Sequence, residues 1–364
     1  MADHKPLFPD GAPSLDQYYM YLTAGCNLAC QHCYISPIYQ ANGGTGGHLS
    51  YDLFEMAIEE GLPLGLGSVK LTGGEPLLHP DFLRIIDFIR EKNLGLSIET
   101  NGTLMTPEIA RYLKEKSTLG FISVSLDGAN AKTHDIFRGV KGSFEKACQG
   151  IRHLVEVEYH PQVIMSLHAD NIDEILPLVR LAKELKAGSV KFNLVQPSGR
   201  GKTLAKKGKV LTIQRLIEIG KWVEGELQDS SSISLHYSWP MAFYNTKALL
   251  NLESYTCSIY HILGLLSGGQ LAMCGVGTQM PDLVYGMVGK DRVADVWKSN
   301  PLLNELRKGV ADNLEGVCGN CLFRGQCLGT CIAENYLMNG NLFAPFWFCR
   351  EAYEKDIFPL SRLV

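Results

Sequence analysis

The chain has 364 residues, 46% of them hydrophobic and 20% charged, with a formal net charge of −4. That length buries a large core and fits two domains, or one barrel with an extension, and the charge offers no basic field for nucleic acid. No run is apolar enough to span a membrane and the N-terminus lacks a signal pattern, so the chain is read as cytoplasmic, where eleven cysteines point to metal ligands before disulfides.

Residues 1–15 form an N-terminal segment. From 16 to 211, β-rich runs alternate with helical ones. Strands are predicted at 17–22, 68–72, 96–100, 121–126, 162–167 and 189–194, near-continuously apolar as in buried parallel strands. Between them, Thr106-Pro107-Glu108 reads as a helix N-cap followed by proline at the first helical position. Asn171-Ile172-Asp173-Glu174 has capping-box spacing, with Asn as the cap. Strand–helix units at roughly 30-residue spacing imply a parallel sheet with right-handed crossovers. Six units are too few for a closed eight-stranded barrel. The expected fold is therefore α/β, an open partial (β/α)6 barrel of TIM-like kind, with its chemistry at the C-terminal strand ends.

The motifs follow those strands. After the first comes Cys26-x3-Cys30-x2-Cys33, then Tyr34. Three thiolates in one tight loop can hold three irons of a [4Fe–4S] cluster and leave the fourth open; electron-transfer clusters ordinarily use four. Zinc or buried thiols is the plainer alternative, although zinc sites usually pair one C-x2-C with another or with histidines, and His32 is oddly spaced for that. After the second strand comes Gly73-Gly74-Glu75-Pro76, whose glycines free the backbone to approach a ligand. Glu99-Thr100-Asn101-Gly102 ends the third strand, either as a simple turn or facing a cofactor. After the fourth, Ser125 offers a hydroxyl and Arg138 a planar fork suited to a carboxylate, while Asp127 and His134 read as a turn carboxylate and a capping imidazole. Cys148 lies in a predicted helix and reads as core. Asn193, Leu194 and Val195 end the sixth strand.

Residues 199–209 form a basic, glycine-containing connector: a solvated loop, or a docking surface for an anionic partner. A helix is expected over 212–227, inside a connecting helical segment 212–255. Residues 256–364 form a loop-rich, cysteine-dense extension. Its cysteines run Cys257-x11-Gly269-x4-Cys274, then Cys318-x2-Cys321-x5-Cys327-x3-Cys331, and Cys349 after seventeen more residues.

These features resemble the radical S-adenosylmethionine (SAM) superfamily over nearly the whole chain, with an extension similar to its SPASM type. The resemblance implies three [4Fe–4S] clusters and SAM as cofactors, with SAM cleaved reductively to a 5′-deoxyadenosyl radical that takes hydrogen from substrate. It implies that Cys26, Cys30 and Cys33 hold the SAM cluster, with Tyr34 beside them. The Gly73, Gly74 and Glu75 motif would meet the SAM amino group, Ser125 the ribose and Arg138 the carboxylate. Asn193 and Leu194 are adenine neighbours on position alone. The family's ligand interleaving assigns Cys257, Cys274 and Cys331 to a first auxiliary cluster, and Cys318, Cys321, Cys327 and Cys349 to a second.

Some family members carry an eighth extension cysteine, but none lies between Ser230 and Thr256 here. The fourth iron of the first auxiliary cluster is then open, or held by another residue or by substrate. Sulfatase-maturing members place an Asp after the second extension cysteine; here that position is Gly275. The implied substrate is a peptide or protein, such as a ribosomally made precursor, and the alternative is a haem-type tetrapyrrole. Only 25 residues precede Cys26, so recognition of a precursor is expected from a separate leader-binding protein or from the barrel itself. Flavodoxin or ferredoxin would supply electrons. A non-enzymatic electron-transfer or redox-sensing protein would leave the Gly-Gly-Glu-Pro and Ser125/Arg138 segments unexplained.

Overall fold

A computed structural model describes residues 11–195, 199–250 and 257–364. Its centre is a sheet of ten strands: β1 Gln17–Tyr21, β2 Ser68–Thr72, β3 Gly95–Thr100, β4 Leu119–Ser125, β5 Gln162–Leu167, β6 Ser189–Leu194, β7 Ser234–Tyr237, β8 Ile262–Leu265, β9 Gln270–Ala272 and β10 Val284–Met287. The order is β10-β9-β8-β1-β2-β3-β4-β5-β6-β7, parallel from β8 through β7, with β9 and β10 antiparallel. The order is linear, so the barrel is open as expected, although eight strands run parallel where six units were expected.

Helices α1 Tyr51–Gly61, α2 Phe82–Glu91, α3 Pro107–Lys116, α4 Ala131–Arg138, α5 Ser143–Glu156 and α6 Ile175–Glu184 cross over between the strands. Thr106 caps α3 by accepting from Ile109 N, with Pro107 at the first position. One face of the sheet packs with these helices in a single core: Tyr18, Met20, Val69, Leu71, Ile98, Val124, Val163 and Val190 are all buried with Phe54, Ile58, Ile85 and Ile151. The other face is polar. Lys70 and Glu99 pair there at 2.5 Å, and Ser125, Lys191 and Asn193 are half-buried. Strands β1, β2, β3 and β6 therefore largely alternate, contrary to the near-continuous apolar reading, while β5 is buried along nearly its whole length as that reading has it.

Three further expectations change. The segment 212–255 is not only helical. Thr212 caps a helix at Ile213–Trp222, followed by a π-turn at Val223–Leu227, but β7 then pairs parallel with β6. Its signal is the alternation of buried Ile233, Leu235 and Tyr237 with more exposed Ser234 and His236. The 256–364 extension also feeds strand β8 onto β1, so it shares the barrel sheet; position 256 itself lies outside the described residues. Finally, Asn171 does not cap. Its amide donates to the carbonyls of Asp127 and Ser166 while its oxygen accepts from His168 N. Glu174 binds the 129–133 loop through Ala129 N, Asn130 Nδ2 and Thr133 Oγ1, instead of reaching back. Asx side chains make both kinds of bond, and here the buried loop won. Cys148 is core as expected, 1% exposed. Among the described residues no helix is long and apolar enough to cross a membrane.

Candidate functional site

The loop carrying Cys26, Cys30 and Cys33 leaves the C-terminal end of β1 and is pinned on every side. Ala29 N and Gln31 N donate to the carbonyls of Arg138 and Phe137 at the end of α4, both at 2.9 Å. Asn27 accepts from Asn101 Nδ2 and donates to Thr103 Oγ1, both at 2.8 Å. Arg200 donates to the carbonyls of Cys30 and Pro37, so the basic connector docks on the loop at this point. His32 stacks on Phe137 at 4.6 Å, and burial pushes its pKa down to about 4; it is a neutral packing ring. Asn27, Phe137 and Arg200 were not legible as site residues, because each acts through a backbone or amide contact made only after folding.

The three thiols sit close enough to feel one another. Burial, Glu75 and Cys30 push Cys26 up to about 12, and burial and Cys30 push Cys33 up to about 11. Such thiols ionise when metal replaces their protons. Arg138 lies against this group. Its Nη1 donates to Cys30 Sγ at 3.5 Å, and its Nε pairs with Asp127 Oδ2 at 2.5 Å, Asp127 being fully buried. Burial alone would raise Asp127, but Arg138, with His32 and His134 behind it, holds it below the usual carboxylate range. Asp127 is therefore the partner of Arg138 and not a turn carboxylate, whereas His134 keeps its local role, accepting from Asp127 N. The guanidinium is already engaged by protein, which changes the expectation that it serves mainly as a free fork for a carboxylate.

The Gly73-Gly74-Glu75 motif docks directly on the cysteine loop. Gly74 N donates to Thr23 O and Glu75 N to Gly25 O, at 3.0 and 3.1 Å. Gly73 takes a φ of +121°, and a Cβ on Gly74 would fall 1.8 Å from the Gly25 carbonyl oxygen. The Glu75 carboxylate accepts from Thr100 Oγ1, Asn101 N and Leu77 N, and burial raises its pKa to about 7. The strand-ending Glu99-Thr100-Asn101-Gly102 segment thus braces both the motif and, through Asn101, the cysteine loop. Gly74→Ala forces two backbones apart, an overpacking cost of about 1–3 kcal/mol. The variant is expected to lose SAM binding, measured by equilibrium dialysis, along with melting temperature; unchanged values of both would contradict this packing.

Ser125 ends β4 half-buried. Asn193 is tied to Ser238 after β7 through its Oδ1, at 3.1 Å, and Val195 packs with Phe137 and Leu204. Leu194 is half-buried at the end of β6. Tyr34 turns towards the extension: its hydroxyl meets that of Tyr21 at 3.3 Å, and Cys274 is near enough to raise it.

The extension cysteines fall into two groups. Cys257, Cys274 and Cys331 feel one another, and Lys70 of the concave face lowers the first two in part against burial. Cys318, Cys321, Cys327 and Cys349 form the other; Cys318 and Cys349 lie close enough for Cys349 to be raised and Cys318 lowered. The family resemblance implies the same two sets as cluster ligands. Among the described residues no three side chains of the His, Cys, Asp and Glu types converge on a single-ion site. The thiols fit a body that spreads its ligands over several irons better than they fit one zinc. One carboxylate stands beside the first group: Glu334, 1% exposed, whose pKa burial raises to about 8.

An open parallel α/β barrel carries grouped thiols beyond the end of its first strand, and a cysteine-rich extension adds strands to the same sheet. The Radical SAM superfamily profile matches residues 20–182. The chain is 30% identical over 338 residues to the AdoMet-dependent heme synthase of Methanosarcina barkeri, covering 90% of this chain and 94% of that protein. It is 27% identical over 346 residues to the antilisterial bacteriocin subtilosin biosynthesis protein AlbA of Bacillus subtilis, covering 94% and 72%. In fold it matches Streptococcus suis SuiB bound to its precursor peptide SuiA, with TM-score 0.71 at 17% identity over 94% of this chain and 77% of that one. The chain belongs to the radical SAM superfamily, and its C-terminal extension is of the SPASM type. Membership brings a [4Fe–4S] cluster and SAM.

Proposed function

We propose that this protein is a radical SAM enzyme that modifies a peptide or protein, in the manner of a maturase acting on a ribosomally made precursor. The observation that carries the reading is an open cleft of about 690 Å³ lined jointly by the cysteine-loop side, at Thr23, Ala24 and Ile35, and by the segment after Cys274, at Gly277 and Thr278. Among the described residues no charged side chain lines it. Neutral hydroxyls and apolar walls suit a peptide backbone with uncharged side chains, and the lining includes segments that follow Cys33 and Cys274 in the chain. The resemblance to AlbA supports the same substrate class.

The unit boundaries proposed are 1–15, the barrel 16–211, the connecting segment 212–255 and the SPASM extension 256–364. Cys26, Cys30 and Cys33 would hold the SAM cluster. Cys257, Cys274 and Cys331 would hold a first auxiliary [4Fe–4S] cluster, and Cys318, Cys321, Cys327 and Cys349 a second. Bound together, cluster and SAM supply a 5′-deoxyadenosyl radical for hydrogen abstraction. The protein's part is placement. Gly73 and Gly74 present backbone to SAM, Ser125 offers its hydroxyl, Asn193 and Leu194 border the site, and the Asp127–Arg138 pair fixes the loop bearing Cys30. An electron donor such as flavodoxin or ferredoxin, and a separate leader-binding protein, complete the scheme.

Position 275 argues against sulfatase maturation. A Cβ there would meet the Tyr21 ring at 2.4 Å, so no carboxylate base fits after Cys274. Tetrapyrrole modification is the second reading, favoured by the similarity to a heme synthase. The basic connector supports it less than its composition suggests, because Arg200 is turned onto the cysteine loop and Lys209 pairs with Asp170 at 2.5 Å. The test is anaerobic incubation with SAM, dithionite and either a precursor peptide encoded beside the gene or an iron-containing tetrapyrrole carboxylate. Mass spectrometry is expected to show hydrogen loss from the peptide. Loss of carboxyl groups from the tetrapyrrole, with the peptide intact, would reverse the order.

A further inference from the structure

Glu334 is the one buried charge of the extension that the scheme above leaves without a task. It sits at the third position of the helix Ile332–Asn339, for which Cys331 is the N-cap. Residues three apart share a helix face, so the carboxylate and the thiol are neighbours. A glutamate at this position usually reaches back to the N-cap amide. Here Cys331 N already donates to Gly329 O at 2.7 Å, and both Glu334 carboxylate oxygens are buried with no hydrogen-bond partner. The Trp347 indole N–H lies close enough to influence the carboxyl but falls outside hydrogen-bond geometry, and it too is unpartnered. A carboxylate left this way in a protein interior is neutralised by a proton or held by a metal.

The same neighbourhood lacks one ligand. Of the charges acting on Cys331, Glu334 is the largest, ahead of Cys274 and Cys257. Every other cysteine is placed: three in the first loop, four in the second extension group, and Cys148 in the barrel core. The first auxiliary group therefore offers three thiolates and no fourth. Iron accepts carboxylate oxygen as well as sulfur.

Resting on the cluster assignment under Proposed function, we propose that Glu334 is the fourth protein ligand of the first auxiliary cluster, binding through one carboxylate oxygen. The Trp347 indole N–H is then the donor available to the other oxygen. The cluster is closed, so substrate does not bind its iron. It carries electrons or holds the extension together, and substrate positioning falls to the cleft.

The test uses the full-length, anaerobically reconstituted protein with saturating SAM, which covers the open iron of the SAM cluster. Iron content, EPR of the reduced clusters and hyperfine coupling to added ¹³C-cyanide are recorded for wild type, Glu334→Gln and Glu334→Cys. Circular dichroism and gel filtration check folding. Wild type is expected to show no cyanide coupling at an auxiliary cluster. Glu334→Gln should either gain that coupling with a shifted EPR signal, or lose about four irons, one cluster's worth. Glu334→Cys should restore both iron content and cyanide resistance. Cyanide coupling to an auxiliary cluster in wild type would overturn the proposal, as would a Glu334→Gln spectrum identical to wild type and equally inert to cyanide. Iron loss in Glu334→Gln that Glu334→Cys does not restore would also overturn it. A wild-type protein with no iron at this group would instead overturn the cluster assignment beneath it, and iron content alone separates the two failures.

Discussion

Replacing Cys26, Cys30 and Cys33 together by Ala is expected to abolish 5′-deoxyadenosine formation while about eight irons remain bound. The two halves of this result come from the geometry. These thiols lie in one loop at the end of β1, held by Asn27, Arg138 and Arg200, whereas the seven extension cysteines form two separate groups. Liquid chromatography of the products and an iron assay on the same sample give both readings. Continued SAM cleavage by the triple variant would show that the reducing centre lies elsewhere. Loss of nearly all iron would show that the three sites do not load independently.

The second large effect concerns Arg138. Breaking a buried ion pair from one side leaves an uncompensated charge, at a cost of about 3–5 kcal/mol. Asp127 is fully buried and Arg138 nearly so, with 2.5 Å between Oδ2 and Nε. Arg138→Ala is therefore expected to lower the unfolding midpoint sharply in denaturant. The Asp127→Asn/Arg138→Met double variant should lose less than the two single losses combined, because neither charge is then stranded. SAM affinity should fall in Arg138→Ala as the Cys30 loop loosens. A weakened SAM affinity with an unchanged unfolding midpoint would restore the simpler view of Arg138 as a direct carboxylate fork.

Much of this arrangement was legible beforehand, for identifiable reasons. The strands Ser68–Thr72, Gln162–Leu167 and Ser189–Leu194 sit where β-rich runs meet turn and cap residues, so even their ends were readable. The cysteine spacing was readable because it is local and written into the chain, whereas the division into sets came from the family resemblance. What escaped depends on partners distant in sequence. Strand β8, of four residues, gains its identity only by pairing with β1, some 245 residues earlier (Ile262 against Gln17). The polar concave face was hidden because Lys70 or Glu99 alone looks like one polar residue in an apolar run. Asn171 carries the same donors and acceptors whether it caps a helix or clasps a loop. Arg138 looked like a ligand fork because Asp127, eleven positions back, looked like a turn residue. Glu334 resembles any glutamate in a first helical turn until its burial and its missing partners are known.

The central claim is that ten of the eleven cysteines serve three iron–sulfur clusters in one chain. Its most direct measurement is iron and sulfide content with Mössbauer spectroscopy on anaerobically reconstituted wild-type protein, with Cys148→Ala alongside. The account predicts about twelve irons per chain, all in [4Fe–4S] signatures, for both proteins. Saturation near four irons in a fully folded protein, or zinc displacing iron at the extension cysteines, would contradict it.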